Sequence, residues 1–131
     1  MTTCPSCAAP IEWEVSQTVF NGRLAWSASY YCAACGDGVM VDGWDEPPDD
    51  VREALIAEDG LRRVRLDRDR QQPSRVALMS VFRRRGASLS RASELVAEVA
   101  SAGLTGTFAE IELLSAQLAA VGAAVVVDAA P

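Results

Sequence analysis

Four cysteines in two close pairs constrain this chain more than any other feature. They form Cys4-Pro-Ser-Cys7 and Cys32-Ala-Ala-Cys35, and the 131-residue sequence contains no other cysteine and no histidine. Two intervening residues allow both sulfurs of a pair to reach one ion, so the spacing predicts a structural Zn²⁺ with four thiolate ligands. Two disulfides or a redox-active dithiol are the alternatives. A closed four-sulfur site leaves no position for a catalytic water molecule.

A β-hairpin is predicted between the two cysteine pairs. Residues 11–20 and 23–31 flank Asn21-Gly22, and Asn-Gly is the strongest two-residue hairpin signal because a type I′ turn needs positive φ at both central residues. A thioredoxin-like motif instead opens a helix after a strand, which argues against a redox dithiol. Apolar residues alternate along both arms, which indicates one covered face. They are Ile11, Trp13, Val15, Leu24 and Trp26.

A third short strand, residues 39–41, follows the second cysteine pair. Two Cys-x-x-Cys turns that are joined by a hairpin and followed by a third strand resemble the zinc ribbon, over residues 1–43. The resemblance implies a three-stranded sheet, and it leaves nucleic-acid binding, protein binding and structural stapling all open. A unit this small buries little apolar surface, so we expect metal binding to supply much of its folding free energy.

Charge is distributed unevenly along the chain, whose formal net charge is −6. Residues 1–61 carry a net charge of −9 and residues 62–131 a net charge of +3, and every basic residue is an arginine. The acidic residues concentrate between positions 42 and 59. They are expected to form a solvated surface, although such a cluster also suits a mimic of an acidic ligand or a patch for a basic partner.

Residues 44–60 are interpreted as an acidic linker that contains one short helix. Pro47 and Pro48 end the preceding strand and stiffen the chain. Asp49 or Asp50 caps a helix over residues 51–58 and places negative charge at its positive end. Trp44 either packs against the ribbon or anchors a partner, and packing is the favoured interpretation.

From residue 61 the pattern predicts strand, helix, helix, helix and strand. The strands cover 61–66 and 124–127, and the helices cover 76–85, a segment that begins at Ser88 or Ser90, and a segment that begins after Thr107. Ser74 is a predicted cap of the first helix, and Thr107 with Glu110 forms a predicted capping box. The predicted core positions are Val76, Leu78, Met79, Phe82, Leu89, Ala92, Leu95, Val96, Val99, Ile111, Leu114, Leu118 and Val121. The economical packing is an α+β fold with helices on one face of a small sheet.

Three segments of this half resemble the C-terminal domain of the ribosomal stalk protein L7/L12. They are residues 75–83, 89–96 and 114–127. The resemblance spans residues 61–128, within a domain taken to cover 61–131, and implies an antiparallel three-stranded sheet covered by three helices. The Clp protease adaptor ClpS has a similar fold. In the stalk protein, basic residues of the first two helices and a glycine-leucine-glycine-leucine turn dock translation factors.

This sequence departs from the stalk pattern at several positions. Arg75 and Arg83 stand at two of the basic positions, whereas Ser80 and Ser93 replace usual lysines, and the turn at 86–89 is one residue shorter. The dimerising N-terminal helices and the hinge of the stalk protein are replaced by the ribbon. We therefore expect the fold, and the same helix face, to serve a different protein partner.

The sequence contains no recognisable catalytic constellation. Histidine is absent, the cysteines are assigned to metal, the serines lack an identifiable base, and no phosphate-binding glycine pattern occurs. We therefore expect no enzymatic activity and no small-molecule substrate. No apolar run reaches membrane-spanning length, and no signal peptide is recognisable. Paired metal-binding cysteines then indicate the reducing cytoplasm.

The expected function is a non-enzymatic, zinc-stabilised protein-interaction module. One form is an immunity protein that neutralises a cognate toxin, and another is an adaptor or regulator in translation or proteolysis. The alternative is nucleic-acid binding through an arginine patch, formed by residues 83–85 and the arginines of residues 62–70, with ribbon aromatics stacking on bases. The candidate partner-binding residues are Arg75, Arg83, Arg84, Arg85, Trp44, Asp45, Glu46, Asp49 and Asp50.

Overall fold

The computed structural model describes residues 3–131, and the chain forms two compact units that meet in sequence at Glu58 and Asp59. Each unit contains one antiparallel three-stranded sheet; one helix belongs to the first unit and three belong to the second. The predicted α+β class is confirmed.

The first unit is built on three strands, β1 (Glu14–Phe20), β2 (Arg23–Tyr31) and β3 (Gly38–Trp44), in the order β1-β2-β3. Asn21 and Gly22 have φ angles of 51° and 75°, as a type I′ turn requires, so the predicted hairpin is confirmed. Strand β1 begins three residues later than predicted, because its pairing with β2 starts at Glu14, opposite Ser29.

Helix α1 (Asp49–Asp59) packs against one face of this sheet. Its Val51 and Leu55 are buried with Ala28 of β2. Three further side chains pack around them: Trp13, which precedes β1, Val15 of β1 and Trp26 of β2. Each such buried aliphatic side chain stabilises a fold by about 1.5–3 kcal/mol. Helix α1 is therefore part of the core of the first unit.

The segment 44–60 thus differs from the linker that the sequence suggested. Trp44 is the last residue of β3, Pro47 is buried, and α1 contributes to the core. The strand extends beyond the predicted residues 39–41 because β3 keeps its register with β2 through Gly43 and Trp44. Polar Asp42 and small Gly43 concealed this continuation in the sequence.

The second unit contains, in chain order, β4 (Arg62–Leu66), α2 (Arg75–Arg84), α3 (Leu89–Ala100), β5 (Leu104–Gly106), α4 (Phe108–Ala120) and β6 (Val125–Ala129). The sheet has the order β5-β4-β6 and is antiparallel throughout. Strand β5 has only three residues, and the residue pattern alone did not reveal it. Arg63 and Asp128, which face each other across β4 and β6, form a bidentate ion pair at 2.9 and 3.0 Å.

The predicted helix starts of the second unit are confirmed. Ser74, Ser88 and Thr107 each accept a hydrogen bond from the backbone N–H three residues later. Glu110 completes a capping box, because its carboxylate accepts the Thr107 N–H at 2.8 Å.

The core of the second unit lies between its sheet and its helices. Its buried residues are Val64, Leu66, Leu78, Val81, Phe82, Ala92, Val96, Val99, Ile111, Leu114, Leu118 and Ala123. Two predicted core residues are instead exposed, Val76 at 77% and Leu89 at 65%. Val76 lies off the buried face of α2, which is formed by residues 78, 81 and 82. Leu89 lies one turn before Ala92, the first buried residue of α3.

Replacement of Gly43 by alanine tests the packing of the first unit. A Cβ atom at this position would lie 2.7–2.9 Å from the Trp26 ring, so Gly43→Ala is expected to destabilise the unit by roughly 1–3 kcal/mol. All three tryptophans precede residue 59, so urea denaturation followed by tryptophan fluorescence reports on this unit. Asp42→Ala, an exposed neighbour on β3, is the control and is expected to change stability by less than about 0.5 kcal/mol. Equal stabilities would show that Trp26 does not cover Gly43.

Candidate functional site

The four cysteines lie in two turns that share one backbone pattern. In each turn the N–H of the first cysteine donates to the carbonyl five residues later, and its carbonyl accepts the N–H four residues later, at 2.7–2.8 Å. The residue at that fourth position has positive φ in both turns, 61° for Ala8 and 77° for Gly36. The two turns are therefore equivalent halves of one site.

The turns bring the four thiols together at a distance that suits a metal ion. All four Sγ atoms lie within 4.8 Å of one another, and the Cys4–Cys35 and Cys7–Cys32 pairs are 3.7 and 3.6 Å apart. Tetrahedral ligation with metal–sulfur bonds of about 2.3 Å places sulfurs about 3.8 Å apart. All four are free thiols rather than disulfides. The predicted grouping of the cysteines is confirmed, and the cluster could hold a metal ion.

The thiols of the second turn differ strongly in acidity. The Cys35 N–H, followed by the Ala34 N–H, lowers the pKa of Cys32 to about 7 against the effect of desolvation. The Asp37 N–H lowers the pKa of Cys35, but desolvation and the neighbouring thiols outweigh it and raise that pKa to about 12. Metal ligation requires thiolates. Loading the cluster near neutral pH therefore releases protons, and its metal affinity rises with pH.

Asp37 is a supporting residue of the cysteine site that the sequence did not predict. Its Oδ2 accepts the Ser6 hydroxyl at 2.7 Å and the Tyr30 hydroxyl at 3.3 Å, and its Oδ1 accepts the Gly38 N–H at 3.0 Å. These bonds, the Ser6 bond first, hold the pKa of Asp37 below its usual value despite desolvation. Asp37 thus links the first cysteine turn to the second. An acidic residue between two glycines, two residues after the last cysteine, was the available signal.

A small apolar cluster supports the cysteine turns from inside the first unit. Cys4 and Cys32 are buried with Ile11 and Tyr30, and the Tyr30 ring meets Trp13 edge-on at a centroid distance of 4.8 Å. Cys7 and Cys35 are exposed. The site is therefore half embedded in the unit and half open to solvent.

The second unit carries an apolar groove on the surface formed by α2 and α3. The groove has a volume of about 310 Å³. Its lining residues are Val76, Met79, Ser80, Arg83, Arg84 and Leu89. The two exposed residues that sequence analysis assigned to the core, Val76 and Leu89, are thus part of one surface feature.

The predicted arginines differ in how they are held. Arg75 donates to the Ser93 hydroxyl, Arg83 donates to the Ala87 carbonyl at 3.0 Å, and Arg85 donates to Gln117 at 2.6 Å. Desolvation lowers the pKa of Arg85, partly offset by the Glu110 carboxylate. Within the described residues 3–131, Arg84 has no hydrogen bond or ion pair. Arg83 and Arg84 are the two that line the groove.

The predicted acidic candidates also differ from one another. Asp45, with φ of 65°, pairs with Arg23 at 2.9 Å, and that guanidinium lies 4.8 Å over the ring of Trp44. Trp44 is 49% exposed and lies 6.2 Å from the ring of Phe20. Glu46, Asp49 and Asp50 are exposed, and the Asp50 carboxylate accepts the Val51 N–H. Trp44 and Asp45 therefore form a defined cluster with Arg23.

No protein-family model, no curated protein and no solved structure matches this chain. Among the helices that the structure describes, none is long and apolar enough to cross a membrane. Any functional assignment therefore depends on the geometry of the cysteine cluster and the α2/α3 groove.

The equivalence of the two turns predicts opposite effects for two exchanges. Ala8→Gly relieves left-handed strain of about 1–2 kcal/mol and incurs a glycine entropy cost of about 0.5–1 kcal/mol. A net stabilisation of about 0.5–1 kcal/mol is therefore expected. Gly36→Ala introduces the same strain with no steric contact within 4 Å, and a loss of about 1 kcal/mol is expected. Urea titration monitored by tryptophan fluorescence measures both, and equal signs would show that the turns are not equivalent.

Proposed function

We propose that this protein is a zinc-stabilised, non-enzymatic protein-binding module. In this proposal the first unit is a zinc ribbon, and the second is similar to the C-terminal domain of L7/L12. The observation that carries the proposal is the apolar groove between α2 and α3, with exposed Val76 and Leu89 and with Arg83 and Arg84 in its lining.

The cysteine cluster supports zinc as the bound metal. Its ligand set is four sulfurs, which favours soft or borderline ions, and its sulfur spacing suits tetrahedral coordination. Cys4, Cys7, Cys32 and Cys35 would hold the ion and leave no position for a water molecule. In this role Zn²⁺ supplies folding free energy to the first unit rather than chemistry.

The groove has the features of a protein-binding site. Exposed apolar residues that are contiguous and bordered by polar groups mark interaction surfaces, and arginine is over-represented among the residues that dominate binding energies. The occupant that fits is a partner segment with apolar side chains for the groove and carboxylates for Arg83 and Arg84. A guanidinium can bind a carboxylate through two parallel hydrogen bonds.

These features favour an adaptor or regulator over an immunity protein. The proposed compartment is the cytoplasm, where thiolate ligands stay reduced. An inhibitor that covers a basic toxin site would use an acidic surface, whereas the lining of this groove is apolar and basic. The first unit is acidic, so its surface still suits an immunity protein. Nucleic acid is the second candidate, supported by the unpaired Arg84 and by Arg62, whose guanidinium lies 5.2 Å from the Phe108 ring centroid. The phosphate groups of a nucleic acid would make no favourable contact with the apolar lining of the groove.

Charge reversal at the groove tests the proposed protein-binding function. The tagged full chain is used to recover partners from extract of its own cells, once with RNase treatment and once without, and the affinity of the purified partner is measured by calorimetry. Arg83→Glu with Arg84→Glu is expected to weaken binding by at least about tenfold, or about 1.4 kcal/mol, because both arginines would face acidic groups of the partner.

The matched control is Arg68→Glu with Arg70→Glu, which makes the same change in net charge at exposed arginines outside the groove. This control is expected to retain binding within about threefold, since surface charges away from a contact contribute little. If both double variants lost affinity equally, net charge rather than the groove would explain the loss. Recovery of nucleic acid alone, with a steep salt dependence, would replace the protein-binding proposal with the nucleic-acid alternative.

Removal of one thiol tests the zinc assignment. Cys4→Ser or Cys35→Ser is expected to abolish zinc binding and unfold the first unit at 25 °C, because structural zinc contributes on the order of 10 kcal/mol to such folds. Metal analysis is expected to give one zinc per native chain, and tryptophan fluorescence reports the loss of structure. Ala33→Ser, at an exposed position within the second pair, should retain the metal. A stable, metal-free cysteine variant would contradict the assignment.

A further inference from the structure

Strand β3 forms an edge of the first sheet, and its apolar residues are exposed. Val39, Met40 and Val41 are 40%, 74% and 43% exposed. Within residues 38–44 the strand contains no proline, lysine or arginine, and its register with β2 is unbroken by a bulge. Natural sheets usually protect their edges with prolines, charged side chains such as lysine, or bulges, since an open apolar edge is a template for another strand.

The hydrogen bonds on either side of the β2–β3 ladder show which groups of β3 are free. Asp45 N–H donates to the Leu24 carbonyl, and Cys32 N–H donates to the Asp37 carbonyl. Hydrogen-bonded and non-hydrogen-bonded residue pairs alternate along an antiparallel ladder. Both bonds place the hydrogen-bonded pairs at the odd-numbered residues of this segment. Residues 39, 41 and 43 direct their backbone groups to β2. The N–H and carbonyl groups of Met40, Asp42 and Trp44 point to the open edge.

The two faces beside this edge differ in chemistry. Val41 is opposite Ala28, which packs against α1, so Val39 and Val41 lie on the α1 side of the sheet. Met40, Asp42 and Trp44 lie on the other face, since successive side chains of a strand alternate. An added strand would therefore meet two half-exposed valines on one face, and on the other the Asp42 carboxylate between the exposed side chains of Met40 and Trp44.

The charge of the first unit determines which segment suits this edge. Residues 1–58 carry ten acidic residues and two arginines, a net charge of −8, and a zinc ion with four thiolates would add about −2. A second copy of this chain is disfavoured, because β3-to-β3 pairing would bring two such units together and place Asp42 close to its counterpart. A basic segment gains from the same field.

We propose that β3 accepts an extended segment of a partner protein as a fourth strand of the first sheet. The segment alternates apolar side chains, which pack on Val39 and Val41, with lysine or arginine side chains, which face Asp42. Backbone hydrogen bonds to Met40, Asp42 and Trp44 supply affinity, and the alternation supplies specificity. This surface is distinct from the α2/α3 groove, and its partner has the opposite charge.

The proposal is tested by amide hydrogen exchange on the zinc-loaded full chain. The probe is a ten-residue peptide that alternates valine with arginine. Its binding is expected to slow exchange at the amides of Met40, Asp42 and Trp44 by at least about tenfold, which corresponds to about 1.4 kcal/mol, and to leave the amides of residues 39, 41 and 43 unchanged. A peptide with glutamate in place of arginine should bind at least about tenfold more weakly, because it meets like charge.

Two matched variants separate the backbone contribution from the side-chain contribution. Met40→Pro removes one outward N–H without removing a bond to β2, as proline permits on an edge strand, and is expected to weaken peptide binding at least about tenfold. Met40→Ala keeps that N–H and is expected to retain binding within about threefold. A peptide that is N-methylated along its pairing edge should not bind native protein, which gives a test that needs no variant.

Several outcomes would overturn the proposal. They are no peptide binding, protection confined to other amides, and equal binding of the arginine, glutamate and N-methylated peptides. Protection of the three edge amides that grows with protein concentration alone would assign the edge to a second copy of this chain instead. None of these outcomes bears on the α2/α3 groove, whose test uses different residues of the other unit.

Discussion

The convergence of four thiols at one point is the constraint on which the first unit depends. Its apolar clusters are small, and one of them includes two of the cysteines themselves. The hairpin at Asn21-Gly22 brings the two cysteine turns together, and Asp37 joins them through Ser6 and Tyr30. A metal ion at this point would tie the segment before β1 to the turn between β2 and β3, and would thereby hold the end of the sheet that receives α1. A unit of this size buries a small share of its surface, so in the proposed function a bound metal ion supplies much of its folding free energy.

Local chemistry made part of this fold predictable from the sequence. Asn21-Gly22 defined the hairpin, the cysteine spacing defined the cluster, and Ser74, Ser88 and Thr107 defined helix starts, because each of these signals depends on a few neighbouring residues. Features that depend on tertiary packing were missed. The three-residue strand β5 has too few positions for a pattern. The helix predicted over residues 51–58 is present as α1, but its packing against the first sheet through buried Val51 and Leu55 was not predicted. Val76 and Leu89 were assigned to the core because helical periodicity identifies an apolar residue but not whether anything covers it.

The same limitation explains why the candidate surfaces could not be located in advance. Sequence composition distinguished an acidic half from a basic half, but it gave Arg75, Arg83, Arg84 and Arg85 the same standing as candidate partner-binding residues. The structure separates them, since Arg75 and Arg85 are bonded to other helices while Arg83 and Arg84 line the groove. Asp45 is likewise engaged by Arg23 rather than free for a partner. Local charge counts therefore overestimate the number of groups that are available for binding.

The exposure of β3 follows from how the first unit is stabilised. A sheet that depends on burial must cover its edges, yet Val39 and Val41 belong to neither buried cluster of this unit. The cysteine turn before β3 and the ladder with β2 hold the strand in place, so its outer groups are not needed for folding. Residues that the fold does not require are free to serve recognition. An acidic edge that suits a basic strand and a basic groove that suits an acidic partner would then allow one small chain to bind two different proteins, which is the chemistry expected of an adaptor.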